Sequence, residues 1–226
     1  MRLSIIIPTR NEQAVIETTL VSLQPLRQAG HQIIVVDGHS KDKTVTLAEN
    51  LVDRCITAPC GRARQLNMGA RIAERNILLF LHADTVLPPQ ADHLIVQALT
   101  THLSDWGRFD VKLSGQARLL RIVEWLMNKR SCLTGIATGD QAIFVKRNLF
   151  EKVNGFPDQP LMEDIEISWR LNQFSKPICI KQPVITSSRR WEEKGIIRTI
   201  LLMWGLRLGY FLGLSPNYLH KLYYRQ

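Results

Sequence analysis

Residues 3–12 read L-S-I-I-I-P-T-R-N-E, and residues 32–40 read Q-I-I-V-V-D-G-H-S. Each is a short β-branched run that stops at a breaker, Pro8 in the first and Asp37-Gly38 in the second. That is the pattern of a buried strand ending in a polar loop. Between them, residues 12–26 place Val15, Ile16, Leu20 and Leu23 near helical spacing. Strand, helix and strand at this pitch make a βαβ unit, whose strands must lie parallel. Working outward, residues 63–73 predict a helix and residues 76–81 a third strand. Residues 90–99 predict a helix that enters behind Pro88-Pro89, with Leu94, Ile95 and Ala98 on one side. The first half therefore alternates like a nucleotide-binding α/β domain. The second half is more basic and less regular, with strands expected over 109–113 and 141–145 and a helix over 118–128.

The chain has 226 residues, 29 Lys or Arg against 20 Asp or Glu, and a net charge of +9. Apolar residues make up 45% and charged residues 22%, a folding composition that excludes disorder, collagen, coiled coil and a polytopic membrane protein. The four cysteines contain no C-x-x-C pair, so no structural zinc is expected and reduced thiols in a cytosolic protein are the reading. The apolar run at the N-terminus is too short for a secretion signal and reads as a strand. No repeat, low-complexity tract or Gly/Ser linker appears. The expected organisation is one domain over residues 1–195 and an apolar, basic helical extension over 196–226.

Ligands of open α/β sheets collect at the carboxyl ends of strands. Three such ends are polar here: Pro8-Thr9-Arg10-Asn11-Glu12, Asp37-Gly38-His39-Ser40 and His82-Ala83-Asp84-Thr85. Singly, each set is equally good turn and cap chemistry; together they would line one crevice. Neither G-x-G-x-x-G nor a P-loop is present, which argues against a dinucleotide fold or a P-loop NTPase. An Asp at the second strand end can accept from a base N–H or a ribose hydroxyl. An Asp after the third can hold a divalent cation against a diphosphate.

The ordered strings S-I-I-I-P-T-R-N-E, V-V-D-G-H-S-K-D-K-T, L-H-A-D-T, G-D-Q-A-I-F-V and M-E-D-I-E-I-S-W-R-L resemble family 2 glycosyltransferases of the GT-A fold. G-R-A-R-Q-L-N at 61–67 is similar to a compact bacterial subgroup, some of whose members are named for carotenoid glucosylation or arsenosugar synthesis. The resemblance implies a Rossmann-like mixed α/β sheet with flanking helices and an inverting, metal-dependent transfer from a nucleoside-diphosphate sugar, UDP-sugar first. By that resemblance, Pro8, Thr9, Asn11, Glu12 and Asp37 match the nucleotide pocket, and Arg62, Arg64 and Asn67 fall at contacts to the nucleotide or its phosphates. His82 and Ala83, expected among the nucleotide-sugar contacts, precede Asp84, which matches the last carboxylate of the family's D-x-D motif, the ligand of Mg²⁺ or Mn²⁺. His82 replaces the first carboxylate. It reads as a strand-end histidine hydrogen-bonded to the backbone, with direct Mn²⁺ ligation as the alternative.

Asp164 matches the family's catalytic base and Glu163 its companion, because inverting transfer needs a carboxylate to take the acceptor's proton. Acids in the first turn of a helix also suit the macrodipole, and the two roles are compatible. Asp140 matches a segment near the donor sugar or acceptor. Arg190 and Trp191 fall where larger relatives carry Q-x-x-R-W, with Ser187 in place of the Gln.

Residues 196–214 are strongly apolar, but Arg207 lies inside them, and an interior arginine argues against a bilayer span. Interfacial binding, a subunit contact and a hairpin with residues 218–224 all fit. Association with a membrane surface, on the inner face of the cell membrane, is the expectation, motivated by the neighbouring Arg189, Arg190, Lys194 and Lys221. The apolar tail favours a lipid-like acceptor over another small molecule, with a polyprenyl-phosphate sugar synthase or a non-catalytic nucleotide-sugar binder as alternatives. The scattered basic residues form no recognition helix, so nucleic acid is not expected as a partner; an oligomer is left open.

Overall fold

The β-branched runs do form strands. In the computed structural model, which describes residues 1–224, Leu3–Thr9 (β1), Gln32–Asp37 (β2), Arg54–Thr57 (β3) and Ile77–Phe80 (β4) lie parallel. Thr85–Val86 (β5), Trp106–Leu113 (β6), Phe144–Lys146 (β7) and Ile178–Thr186 (β8) complete one mixed sheet ordered β3-β2-β1-β4-β7-β6-β8-β5. β7 runs antiparallel to β4 and β6, while β6 and β8 are parallel.

Alternation along the strands builds two cores. Leu3, Ile5, Ile7, Ile33 and Val35 point to one face, against Ile16, Leu20 and Ile95 of the helices covering it. Ile6, Ile34, Val36, Leu78 and Phe80 point to the other, against Leu66, Ala70, Ile167 and Leu171. The sheet is thus buried on both sides, which is why its central strands read as continuous apolar runs.

The elements depart from expectation in instructive places. Residues 12–26 form no single helix but Ile16–Ser22 and Gln24–Gln28, because the 11–13 loop is tied to the loop after β2 and Pro25 opens the second helix. The strand expected over 141–145 is displaced to β7. Gly139–Gln141 is a 3-10 turn capped reciprocally by Thr138 and Gln141, and Ala142 takes a left-handed φ of 45°. β3, β5 and β8 are additional to the expected strands; β8 carries Lys181, Gln182 and Pro183 in its middle and lacks a clean apolar run.

The cysteine reading needs a correction. Cys132, on the helix Arg118–Thr134, forms a disulfide with Cys179 of β8, with Cα atoms 6.1 Å apart and a sequence separation of 47. Cys55 and Cys60 remain thiols. The parallel pairing of β8 with β6 is what brings the two sulfurs together.

The C-terminal residues fold as two helices, Ile196–Phe211 and Pro216–Tyr224, joined through Gly213 at a φ of 87°. Leu206 and Leu219 pack with Ile136, Met162 and Ile165, so the tail shares a core with the helix that starts at Glu163. Among the described residues no helix is long and apolar enough to cross a membrane.

Candidate active site

The carboxyl ends of β1 and β2 are knitted into one polar rim. Thr9 Oγ1 donates to Asp37 Oδ1 at 3.2 Å, and the Ser40 amide donates to Asp37 Oδ2 at 2.8 Å. The Asn11 amide donates to Ser40 Oγ, while the Lys41 amide donates to Asn11 Oδ1, both at 2.8 Å. The Glu12 amide donates to Thr44 Oγ1 at 2.8 Å. Asn11 and His39 hold left-handed φ values of 55° and 62°, a strained geometry that these bonds maintain. Pro8, at the edge of this rim, pairs in register with Val36.

Gln65, which the sequence did not mark as functional, underpins the rim from the helix Arg62–Ile72. Its buried amide Nε2 donates to the carbonyls of Thr9 and Val36, at 2.8 Å each. Both strand ends are therefore held by one side chain. Its signal in the sequence is a polar residue beside the apolar positions Ala63, Leu66 and Ala70.

Beyond β4, His82 Nδ1 lies 3.1 Å from Asp140 Oδ1. The expectation that His82 bonds the backbone is corrected: its partner is a carboxylate on the 3-10 turn. Burial favours protonation of Asp140, but the bond and charge of His82, with Arg62 and Arg207, outweigh it and hold the carboxyl below its usual range. Gly139 makes this packing feasible. A Cβ there would sit 2.4 Å from His82 Nε2 and 3.4 Å from an Arg62 nitrogen. Ala83 contributes its carbonyl, which accepts from Thr19 Oγ1 at 2.6 Å.

Asp164 and Glu163 open the helix Glu163–Asn172, behind Met162 at a left-handed φ of 66°. Asp164 Oδ2 accepts from the Gly139 amide at 3.2 Å and Oδ1 from the Ile165 amide at 2.8 Å, so two backbone donors fix the carboxylate. Glu163 is only 6% exposed in its side chain and faces Arg62, with 3.5 Å between Oε1 and Nη1. Burial raises its pKa; Arg62 opposes the rise and Asp164 adds to it. Partial desolvation works against the charge of Arg62, whose side chain is 49% exposed, but Glu163, Asp140 and Asp164 together raise its pKa. Arg62, His82, Gly139, Glu163 and Asp164 line one small pocket, floored by Leu66, Phe80, Ile143 and Phe156.

Asp84 follows β4 and is half-buried. Its carboxylate has no hydrogen-bond partner among the described residues, yet its charge acts with burial to raise the pKa of Glu12. No group of three or more His, Cys, Asp or Glu is poised to hold a metal among the described residues. One unpartnered carboxylate beside a second does fit a hard cation whose remaining ligands are substrate phosphates and water, the usual Mg²⁺ arrangement.

Four further expected residues have partners within the fold. Asn67 exchanges two hydrogen bonds with the Phe156 backbone, at 2.8 and 2.9 Å, and Arg64 pairs with Asp158 at 2.7 Å on the exposed surface. Trp191 packs against Leu113, Leu120 and Val123. Arg190 stacks on Tyr223 of the last helix, 3.7 Å from the ring centroid. Burial raises the Tyr223 pKa, while Arg190 and Arg62 lower it, so this tyrosine lies within electrostatic reach of the pocket. Nothing in the sequence pointed to Tyr223. Arg207 was visible only as a lone cation in an apolar run.

A mixed sheet with a polar rim at the ends of β1, β2 and β4, facing a carboxylate-headed helix, defines the GT-A class of fold. The family described as Glycosyl transferase family 2 matches residues 4–129. The chain belongs to that family. It is 25% identical over 217 residues to "Probable glycosyltransferase YdaM" of Bacillus subtilis (strain 168), covering 85% of this chain and 51% of that protein. The chain thus spans about half the length of the curated relatives it matches. Among solved structures, S. aureus TarS 1–349 in complex with UDP-GlcNAc superposes with a TM-score of 0.66 at 18% identity, over 83% of this chain and 58% of that one. Glucosyl-3-phosphoglycerate synthase from Mycobacterium tuberculosis, in complex with Mn²⁺, UDP and glucosyl-3-phosphoglycerate, superposes at 0.62 with 19% identity, over 86% and 75%.

Proposed function

We propose that the chain is an inverting glycosyltransferase that moves a sugar from a nucleoside-diphosphate sugar, UDP-sugar first, to a hydroxyl or carboxylate of a lipid-like acceptor. The observation that carries this reading is the Asp164 carboxylate, fixed by two backbone amides at the mouth of a pocket that also holds Arg62 and His82. In the reaction the acceptor oxygen forms a bond to the anomeric carbon from one face as the bond to the diphosphate breaks on the other. Asp164 takes the proton of a hydroxyl acceptor. Arg62, held cationic by its ring of carboxylates, stabilises charge developing on the diphosphate. Asp37 and the rim around it receive the base or ribose. Asp84 would hold a Mg²⁺ or Mn²⁺ ion, which when bound supplies further charge neutralisation at the diphosphate. Its relatives' complexes with UDP, UDP-GlcNAc and Mn²⁺ support the donor and metal classes.

The lipid-like acceptor and peripheral attachment to a membrane rest on two apolar stripes. Leu119, Ile122, Trp125, Leu126 and Leu133 are exposed on the helix Arg118–Thr134. Ile197, Leu201, Trp204, Leu208 and Phe211 are exposed on Ile196–Phe211, at three- and four-residue intervals. Trp125 and Trp204 are each 60% exposed. Arg118, Arg189, Arg198 and Lys221 stand near these stripes in the sequence, and cations with interfacial tryptophans suit an anionic membrane surface.

Titration calorimetry with UDP, GDP and dTDP, each with and without Mn²⁺, tests the donor reading. One nucleotide binding tightly only with Mn²⁺, and losing that dependence in Asp84→Ala, is the expected result; no binding by any of them rejects it. Sedimentation with anionic liposomes tests the surface: Trp125→Ser/Trp204→Ser protein should stay in the supernatant, and unchanged pelleting sinks the membrane reading.

A further inference from the structure

Two arginines are accounted for neither by the donor reading nor by an ion pair in the fold. Arg130, on the helix Arg118–Thr134, donates from Nη1 to the Ile136 carbonyl at 3.2 Å. Its Nε and Nη2 are buried without a hydrogen-bond partner. A guanidinium has five donors and no acceptor, so a buried one lacking an anion is left in a costly state. Arg207 lies next to Leu206, which packs in the same apolar cluster as Ile136. Two different helices thus bring Arg130 and the neighbour of Arg207 to Ile136, which also packs with Ile165, the residue after Asp164. Neither forms an ion pair with a carboxylate among the described residues.

The electrostatics agree with this geometry. Burial, then the charge of Arg207, push the Arg130 pKa down to about 10, while the charge of Asp164 pulls it up, so Arg130 is a cation at neutral pH. Arg207 also lowers the pKa of Asp140. Like charges that approach each other in a half-buried wall, with donors unused, are complementary to an oxyanion, and guanidinium groups bind one through paired N–H···O bonds.

We propose that Arg130 and Arg207 form a binding site for an oxyanion, phosphate or carboxylate, carried by the acceptor and placed beside Asp164. The proposal rests on Asp164 marking the reacting centre. Both arginines sit on the two helices that expose the apolar stripes, which is where an acceptor with an apolar chain and an anionic head would enter. The donor's diphosphate offers the same chemistry, so the experiment separates the two sources.

Inorganic phosphate is the probe, followed by calorimetry and thermal unfolding of wild type, Arg130→Met, Arg207→Gln and Asp164→Asn, with and without the nucleoside diphosphate that binds, at saturation. Phosphate should bind wild type and raise its Tm, and its affinity should fall about tenfold or more in Arg130→Met and Arg207→Gln. Because Arg130→Met removes unused donors, its Tm without phosphate should equal or exceed that of wild type. Arg207→Gln alters a half-buried side chain and keeps the test informative if Arg130→Met folds poorly. Phosphate binding that persists under saturating nucleotide assigns the site to the acceptor. Competition, with nucleotide affinity weakened in both variants, assigns it to the donor and overturns the acceptor assignment. Unchanged phosphate affinity in Arg207→Gln and in any folded Arg130→Met overturns the site itself. Asp164→Asn should keep phosphate binding while losing transfer, so failure of the anion site and failure of the glycosyl-transfer reading are read separately.

Discussion

The rim at the ends of β1 and β2 and the wall formed by the helices Arg118–Thr134 and Ile196–Phe211 are built in contrasting ways. In the rim, the hydroxyls and carboxylates of Thr9, Asp37, Ser40 and Thr44 are engaged, and Gln65 staples both strand ends from beneath. In the wall, Arg130 keeps unused donors, and Trp125 and Trp204 face solvent. A completed hydrogen-bond network is preorganised and specifies one geometry before any ligand arrives. Unused donors inside and apolar side chains outside are complementary to something the chain does not itself supply. On the proposed function, the contrast separates a side prepared for a nucleotide from a side awaiting an acceptor.

Four experiments would break or sharpen it. The largest effect is expected from Asp164→Asn, which should lower kcat by about 10²–10⁴-fold with nucleotide affinity preserved. A comparable loss of nucleotide affinity would show that the carboxylate serves the rim and not the chemistry. Gly139→Ala comes next. Its new Cβ meets His82 at 2.4 Å and must push the His82–Asp140 pair aside. Misplacement on this scale can lower kcat by up to about 100-fold, and steady-state kinetics with unchanged Tm would confirm a local cause.

Gln65→Leu probes the rim itself. Removing the buried donor shared by the Val36 carbonyl and the Thr9 carbonyl, the latter keeping its bond from the Gly38 amide, should cost about 1–3 kcal/mol in urea unfolding. An unchanged midpoint would mean the rim holds without its staple. The smallest effect concerns acid. The pKa of Asp140 is depressed in the folded chain, so its contribution to stability is complete above the ordinary aspartate value and is lost as pH falls through its own lower one. His82→Gln should flatten that acid limb of the Tm–pH curve slightly, because Asp140 is partly exposed and solvent screens the pair.

The rim at the strand ends was largely legible from the chain. Local signals coincide there: β-branched runs ended by Pro8 and by Asp37-Gly38 place Thr9, Asn11 and Asp37 at strand ends, where turn chemistry and ligand chemistry use the same residues. The second half was less legible. β8 is interrupted by Lys181, Gln182 and Pro183 yet is held as a strand by β6, so tertiary pairing outweighs its local pattern. That Asn67 bonds the Phe156 backbone and that Trp191 packs in an apolar cluster were likewise not legible, because both partners come from distant parts of the chain.

By itself, the sequence determined a parallel βαβ start, the polar strand ends and the acidic head of the helix at Glu163, because strand periodicity, breakers and first-turn acids act over a few residues. The tertiary structure alone decided that His82 meets Asp140, that Cys132 meets Cys179, that Gln65 staples two strands and that the charge of Arg207 reaches Arg130. Those contacts join residues from 47 to more than 70 positions apart in most cases, and no local pattern encodes them. They follow from which strands neighbour one another and which helices close over them, and so from the packing of the whole chain.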